Sequence, residues 1–207
     1  MAISSTIDRS RVSSGIENLW DDSVRGIAHL AMNTDDMKGT MDFYTRVLKM
    51  QLVGAKRVPY ERDRGQPPYE NLRHYFFNMG KDQMVAFFEY PKGLATANRD
   101  LPGAMQHVAF HVMPEKFDAF QRHIESCGVK TFGPMSLGEH SKAFYLWDNN
   151  GIRLEINTWL PTATAPGVVG AAVSTREKAR KELSTLFDDP KDVEFWLDQM
   201  PFPEDAH

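Results

Sequence analysis

The middle of this chain carries one strand-and-helix pattern written twice, and a repeat of that kind restricts the fold more than any local propensity. The first copy opens with a strand-like stretch, Val24 to Met32, followed by capping residues at Asn33-Thr34-Asp35-Asp36. Met37, Met41, Tyr44, Val47 and Leu48 then recur at helical spacing. Three strand-like stretches complete the copy: Gln51 to Val58, Leu72 to Met79 and Gln83 to Tyr90. The second copy opens at Met105 to Val112. Pro114 suits the first turn of a helix, Phe117, Phe120, Ile124 and Cys127 form its apolar stripe, and Gly128 suits its stop. Strand-like stretches follow at Val129 to Phe132, Lys142 to Trp147 and Ile152 to Thr158. Each copy reads strand, helix, strand, strand, strand.

These boundaries predict an N-terminal extension over residues 1–22 and a domain over 23–160, with modules at 23–91 and 104–160. A tail over 161–207 follows, with two candidate helices, Thr175 to Phe187 and Lys191 to Met200. The tail is expected to pack on the domain or on a second copy of the chain, because Val193, Trp196, Leu197 and Met200 share a face. Pro59 to Asn71 reads as a long polar loop, and loops of that length often carry function; a surface insertion without a role fits equally well.

Composition narrows the function classes. With 42% hydrophobic and 25% charged residues the chain is ordinary for a globular protein. The net charge is -4 and no block of Lys and Arg occurs, which argues against nucleic acid and anionic membranes as partners. Apolar runs are too short to cross a bilayer. Met1 to Trp20 is Ser-rich without an apolar core, so a cytoplasmic location is expected. The single cysteine, Cys127, follows Ile124 at helical spacing and reads as a core residue.

Three polar residues sit in apolar strands where core side chains are expected: His29, His107 and Glu155. Side chains alternate between the faces of a strand. Ile27, His29, Ala31 and Asn33 share one face, Met105, His107, Ala109 and His111 another, and Arg153, Glu155 and Asn157 a third. Leu154, Ile156, Val108, Phe110 and Val112 offer the helices their apolar surface, leaving the two histidines and the glutamate on the opposite, concave side. A single strand histidine is usually a satisfied polar position. Two at matching places of a repeat, with a buried carboxylate that needs a partner, point instead to a metal site of the two-histidine, one-carboxylate type. His111 is placed to line the same cavity, His74 reads as a polar strand position, and His123 as a solvated helix residue.

From Val24 to Trp159 the chain resembles the vicinal oxygen chelate superfamily, which includes glyoxalase I, methylmalonyl-CoA epimerase, extradiol ring-cleavage dioxygenases and bleomycin- and fosfomycin-resistance proteins. The likeness rests on the opening strand with His29, on Phe43-Tyr44-Thr45-Arg46-Val47-Leu48-Lys49-Met50, on Phe87-Phe88-Glu89-Tyr90-Pro91, and on Phe144-Tyr145 running to Asp148, Gly151 and Glu155. It implies an α+β fold, two βαβββ modules forming a cupped, half-barrel mixed sheet around a metal, with the helical tail appended.

The resemblance is closest to the extradiol dioxygenases. Glyoxalase I and the epimerase take a fourth ligand from the last strand of the first module, and that place falls on Ala86 here. Three protein ligands leave about three open positions on an octahedral ion, enough for two catechol oxygens and O2. The dioxygenase signature is matched by Gly138-Glu139-His140, Phe144-Tyr145, Asp148, Gly151 and Glu155, with two departures. Asn149 replaces the signature proline, and the gap from His140 to Tyr145 is short, so that the family's catalytic histidine aligns near Ser136.

The resemblance thus implies Fe(II), with Mn, Zn, Ni or Co as alternatives, held by His29, His107 and Glu155. His140 is implied as acid-base group and Tyr145 as hydrogen-bond donor to the substrate. An aromatic small molecule and O2 are the implied partners, and a homodimer the implied assembly. Two other functions compete: an isomerase or lyase of the same superfamily, and a metal-free binding or resistance protein.

Overall fold

A computed structural model describes residues 26–58, 71–138, 141–160, 174–200 and 202. The N-terminal extension, most of the long polar loop, His140 and the linker before the tail lie outside the described residues. The chain is α+β, with two four-stranded mixed sheets and a few helices. The described residues form two compact units: residues 26–37, 49–58 and 71–92, and residues 38–48 with those from Gly93 onward.

In the first unit, aromatic and β-branched runs bounded by turn residues become strands. They are β1 (His29–Thr34), β2 (Gln51–Val58), β3 (Leu72–Gly80) and β4 (Gln83–Glu89), in the order β1-β4-β3-β2. Lys81 and Asp82 join β3 to β4 with φ of 53° and 60°, the left-handed pair that a two-residue hairpin requires. Strand β1 runs parallel to β4, pairing Ala31 with Ala86, and β4 runs antiparallel to β3, pairing Ala86 with Phe76. Register therefore puts His29, Ala31, Ala86, Phe76 and His74 on one face. Met32, Phe77, Val85 and Phe87 are buried on the other.

The second unit repeats the order with β5 (Val108–His111), β6 (Phe132–Ser136), β7 (Ser141–Trp147) and β8 (Arg153–Trp159), arranged β5-β8-β7-β6. Helix α1 (Met37–Asp42) continues as a π-helical turn over Phe43–Val47, and residues 38–48 belong to this unit. Helix α2 (Pro114–Ser126) starts on a proline, as its sequence predicts. Its buried residues are Phe117 and Ile124, and the Phe117 ring meets Phe144 edge-on at 5.2 Å. Leu146, Leu154, Ile156 and Val108 complete this apolar face.

Three strands differ from their sequence-based bounds by more than a residue; β1 runs His29–Thr34 where Val24 to Met32 was expected. Strand β5 begins at Val108, three residues after the expected start, because ladder pairing with β8 begins at Val108 and Leu154. Strand β6 lies at Phe132–Ser136 and not at Val129 to Phe132. It is an exposed edge strand, so it lacks the apolar alternation that marks a half-buried one, and only an edge admits Pro134. Its register slips between Phe132 and Met135, where Gly133 has φ 116° and a Cβ would stand 3.0 Å from the Ala143 carbonyl oxygen.

The tail forms helices α3 (Arg176–Leu183) and α4 (Pro190–Leu197), each with a side-chain cap. Thr175 Oγ1 accepts from Lys178 N at 3.3 Å, and Asp189 Oδ1 from Lys191 N at 2.9 Å. Ala179, Val193, Leu197 and Phe202 form a small core of their own, with Leu183, Phe187 and Met200 at its margin. No helix among the described residues is long and apolar enough to cross a membrane.

Candidate functional site

Strand β8 has Leu154 and Ile156 on the helix side, so alternation turns Arg153, Glu155, Asn157 and Trp159 to the other face. Pairing adds neighbours to that row: Tyr145 lies opposite Glu155, Trp147 opposite Arg153, and Ala109 opposite Glu155 across the parallel ladder. His107, two residues before Ala109, joins the same face.

Glu155 is 6% exposed, and its carboxylate collects donors from this row. His107 Nε2 stands 3.2 Å from Oε2, and Asn157 Nδ2 donates to Oε1 at 3.1 Å. The other ring nitrogen of His107, Nδ1, meets Gln106 Oε1, the kind of outer contact that orients a metal-ligating imidazole. Among the described residues no lysine or arginine neutralises Glu155. The Tyr145 ring is edge-on to His107 at 6.2 Å. Burial, then hydrogen bonding to Glu155 and the charge of that carboxylate, push the Tyr145 hydroxyl above the usual phenol range, with Arg153 opposing.

His111 follows on the same row, its Nδ1 3.2 Å from Asn157 Oδ1 and its ring 4.3 Å from that of Trp159. In the first unit, His29 heads β1 with its ring 5.6 Å from Phe76 and 6.4 Å from His74. His74 is buried and stacks on Phe88 at 3.7 Å, so it is more enclosed than its strand position suggested. His123 Nε2 faces the Arg46 carbonyl oxygen at 3.1 Å, and Cys127 is half-buried beside it.

Of the sequence-derived site residues, the second unit brings His107, Glu155 and Tyr145 together. His29 belongs to the first unit, and His140 lies outside the described residues. Among the described residues, neither unit taken alone gathers three His, Cys, Asp or Glu side chains into one cluster.

A family model for the glyoxalase/bleomycin resistance protein/dioxygenase superfamily matches residues 26–156. The chain belongs to this superfamily. No significant match was found among curated proteins. Solved structures of the superfamily share its fold. A glyoxylase/bleomycin resistance protein/dioxygenase domain from Frankia sp. EAN1pec is 16% identical, covering 67% of this chain and 100% of its own, with a TM-score of 0.55. The glyoxalase family protein from Enterococcus faecalis is 18% identical over 65% of this chain and 98% of its own, with a TM-score of 0.51. The fosfomycin resistance protein FosX from Mesorhizobium loti is 22% identical over 67% and 95%, with a TM-score of 0.47.

Ala31 pairs with Ala86 in the first sheet as Ala109 pairs with Glu155 in the second, so Ala86 occupies the place equivalent to Glu155. Glu89 faces away from it, accepting from Met37 N at 3.2 Å and pairing with Arg73. The residue that sequence reasoning left without a role is Arg153. Its guanidinium lies 4.3 Å from the centre of the Tyr145 ring. Strand alternation had already put it beside Glu155, but no motif marked it.

Proposed function

We propose that this chain is a metal-dependent dioxygenase of the extradiol type, acting on a catechol-like aromatic, with His29, His107 and Glu155 as ligands of Fe(II). One observation carries the reading: a buried carboxylate paired with an imidazole on a sheet face, with a tyrosine beside it and no lysine or arginine among the described residues to neutralise it. That donor set fits a divalent cation, which needs anionic and imidazole ligands with their outer atoms hydrogen-bonded. When bound, the ion supplies Lewis acidity that favours deprotonation of two adjacent hydroxyls, and as Fe(II) it supplies redox chemistry toward O2.

The chain's own residues do the rest. Asn157 and Gln106 hold Glu155 and His107 in position. The Tyr145 hydroxyl, raised above the usual phenol range, keeps its proton near neutral pH and can donate it in a hydrogen bond to a substrate oxygen. His140 is proposed as the group that takes and returns a substrate proton, on the strength of the sequence signature. Ala86, in place of a fourth ligand, favours this reading over the glyoxalase type.

The test is anaerobic purification, reconstitution with Fe(II), and oxygen-electrode assay with substituted catechols. Wild type is expected to consume O2 with substrate. Glu155→Ala should lose more than about 100-fold, exceeding the loss typical of an outer-shell change. Metal-dependent turnover that needs no O2 would transfer the assignment to an isomerase or lyase. Protein purified without chelators that neither carries nor takes up metal would favour a binding role.

A further inference from the structure

The face that bears Glu155 has a second chemical character beyond its metal-ligand pair. Next to Glu155 on β8, half-buried Arg153 lies over the Tyr145 ring at 4.3 Å, and its Nε is buried without a hydrogen-bond partner. Among the described residues no carboxylate pairs with it. Trp147, opposite Arg153 in the ladder, is 36% exposed and meets Phe132, 41% exposed, edge-on at 5.0 Å. A second guanidinium, Arg99, lies 6.0 Å from the Trp147 ring. Its Nε is also buried without a hydrogen-bond partner, and its nearest acid is the adjacent Asp100 at 3.6 Å.

A guanidinium stacked on an aromatic face keeps its N–H edge available, and that edge matches a carboxylate with two parallel hydrogen bonds. Large exposed aromatics beside it offer a surface for a flat ring. We propose that the ligand of this face is a planar aromatic carboxylate, with its acid group on Arg153 and its ring against Tyr145 and Trp147. Arg99 adds positive charge beside Trp147. The proposal deepens the functional reading, on which it rests for the ligand's chelating end; the acid-binding end stands on Arg153 and its neighbours alone.

The experiment compares benzoate with its neutral isostere benzamide, by calorimetry or tryptophan fluorescence on the full chain, with and without added metal. Wild type should bind benzoate at least about tenfold tighter, a preference that falls with salt because it is electrostatic. Arg153→Met should abolish the preference. Arg153→Lys, which keeps the charge without the fork, should retain part of it and serves as the test should the Met variant not fold. Equal binding of the two compounds by wild type, or an undiminished preference in Arg153→Met, overturns the proposal. Oxygen uptake with 3,4-dihydroxybenzoate and catechol separates the two readings. A protein inactive toward both that still selects benzoate through Arg153 keeps the inference and loses the dioxygenase. An active one indifferent to Arg153 does the reverse.

Discussion

Asp148 shows how much one buried side chain can hold in this fold. It is 7% exposed in the turn between β7 and β8. Its Oδ1 accepts from Asn150 N and Ile152 N, both at 2.8 Å, and its Oδ2 from the fully buried Tyr44 hydroxyl at 3.1 Å. Burial raises its carboxyl above the ordinary range, with the bonds from Ile152, Asn150 and Tyr44 opposing. Asp148→Ala removes the acceptor for these groups and should cost about 2–3 kcal/mol in urea unfolding. The pH dependence follows from the sign. Between the unfolded and the raised folded value, the native state keeps a proton that the unfolded chain has released. Stability from this group therefore rises as pH falls through that window. Asp148→Asn should flatten this part of the profile, measured as the difference between the two unfolding curves.

At this scale the row of residues around Glu155 was partly legible. Alternation put Glu155 on a face with Asn157 and placed His107 with Ala109; Tyr145 was named only by resemblance, and ladder pairing is what sets it opposite Glu155. The stacking of Arg153 on Tyr145 was not legible, because nothing in a strand pattern tells an arginine paired with an acid from one stacked on a ring. His74 was underestimated for a related reason: its enclosure comes from Phe88 and Phe76, which reach it across the β3–β4 ladder.

At the scale of elements, the tail hairpin has a small core of its own. Helices α3 and α4 bury Ala179, Val193, Leu197 and Phe202 against one another, and Arg176 and Arg180 pair across to Asp198 and Glu194. Exposed ion pairs of this kind contribute little, so the apolar contacts hold the hairpin. Leu197→Ala should cost about 2–5 kcal/mol of local stability. Hydrogen exchange would then speed up in α3 and α4 while β7 and β8 stay protected; loss of protection in both would show that the hairpin and the sheet unfold as one. Both helices could be read from periodicity, though each ends earlier than expected, at Leu183 and Leu197. Strand β6 could not. Its residues face solvent, and what defines it is pairing with β7 around the irregularity at Gly133 and Pro134.

For the molecule as a whole, the two sheets share one strand order, and Ala86 stands in the first where Glu155 stands in the second. Ala86→Glu tests what that difference does. If three protein ligands leave the openings that the reaction needs, a fourth should preserve metal binding and lower oxygen uptake by more than about tenfold, in the direction expected when an open coordination place is filled. Metal content and oxygen consumption measured on the same sample would check it. Undiminished uptake with bound metal would mean that the place is not part of the site.

By itself the sequence determined the two-copy plan and the alternating faces of the strands, because alternation and helical spacing are local consequences of backbone geometry; the superfamily came from motif resemblance. It could not determine which sheet each helix serves. The residues after β1 look like the helix of the first copy, yet residues 38–48 belong to the second unit, with Tyr44 bonded to Asp148 across a separation of 104 residues. Periodicity says that Tyr44 turns inward; only packing in three dimensions supplies the partner, and the hydrophobic effect that drives it has no direction along the chain.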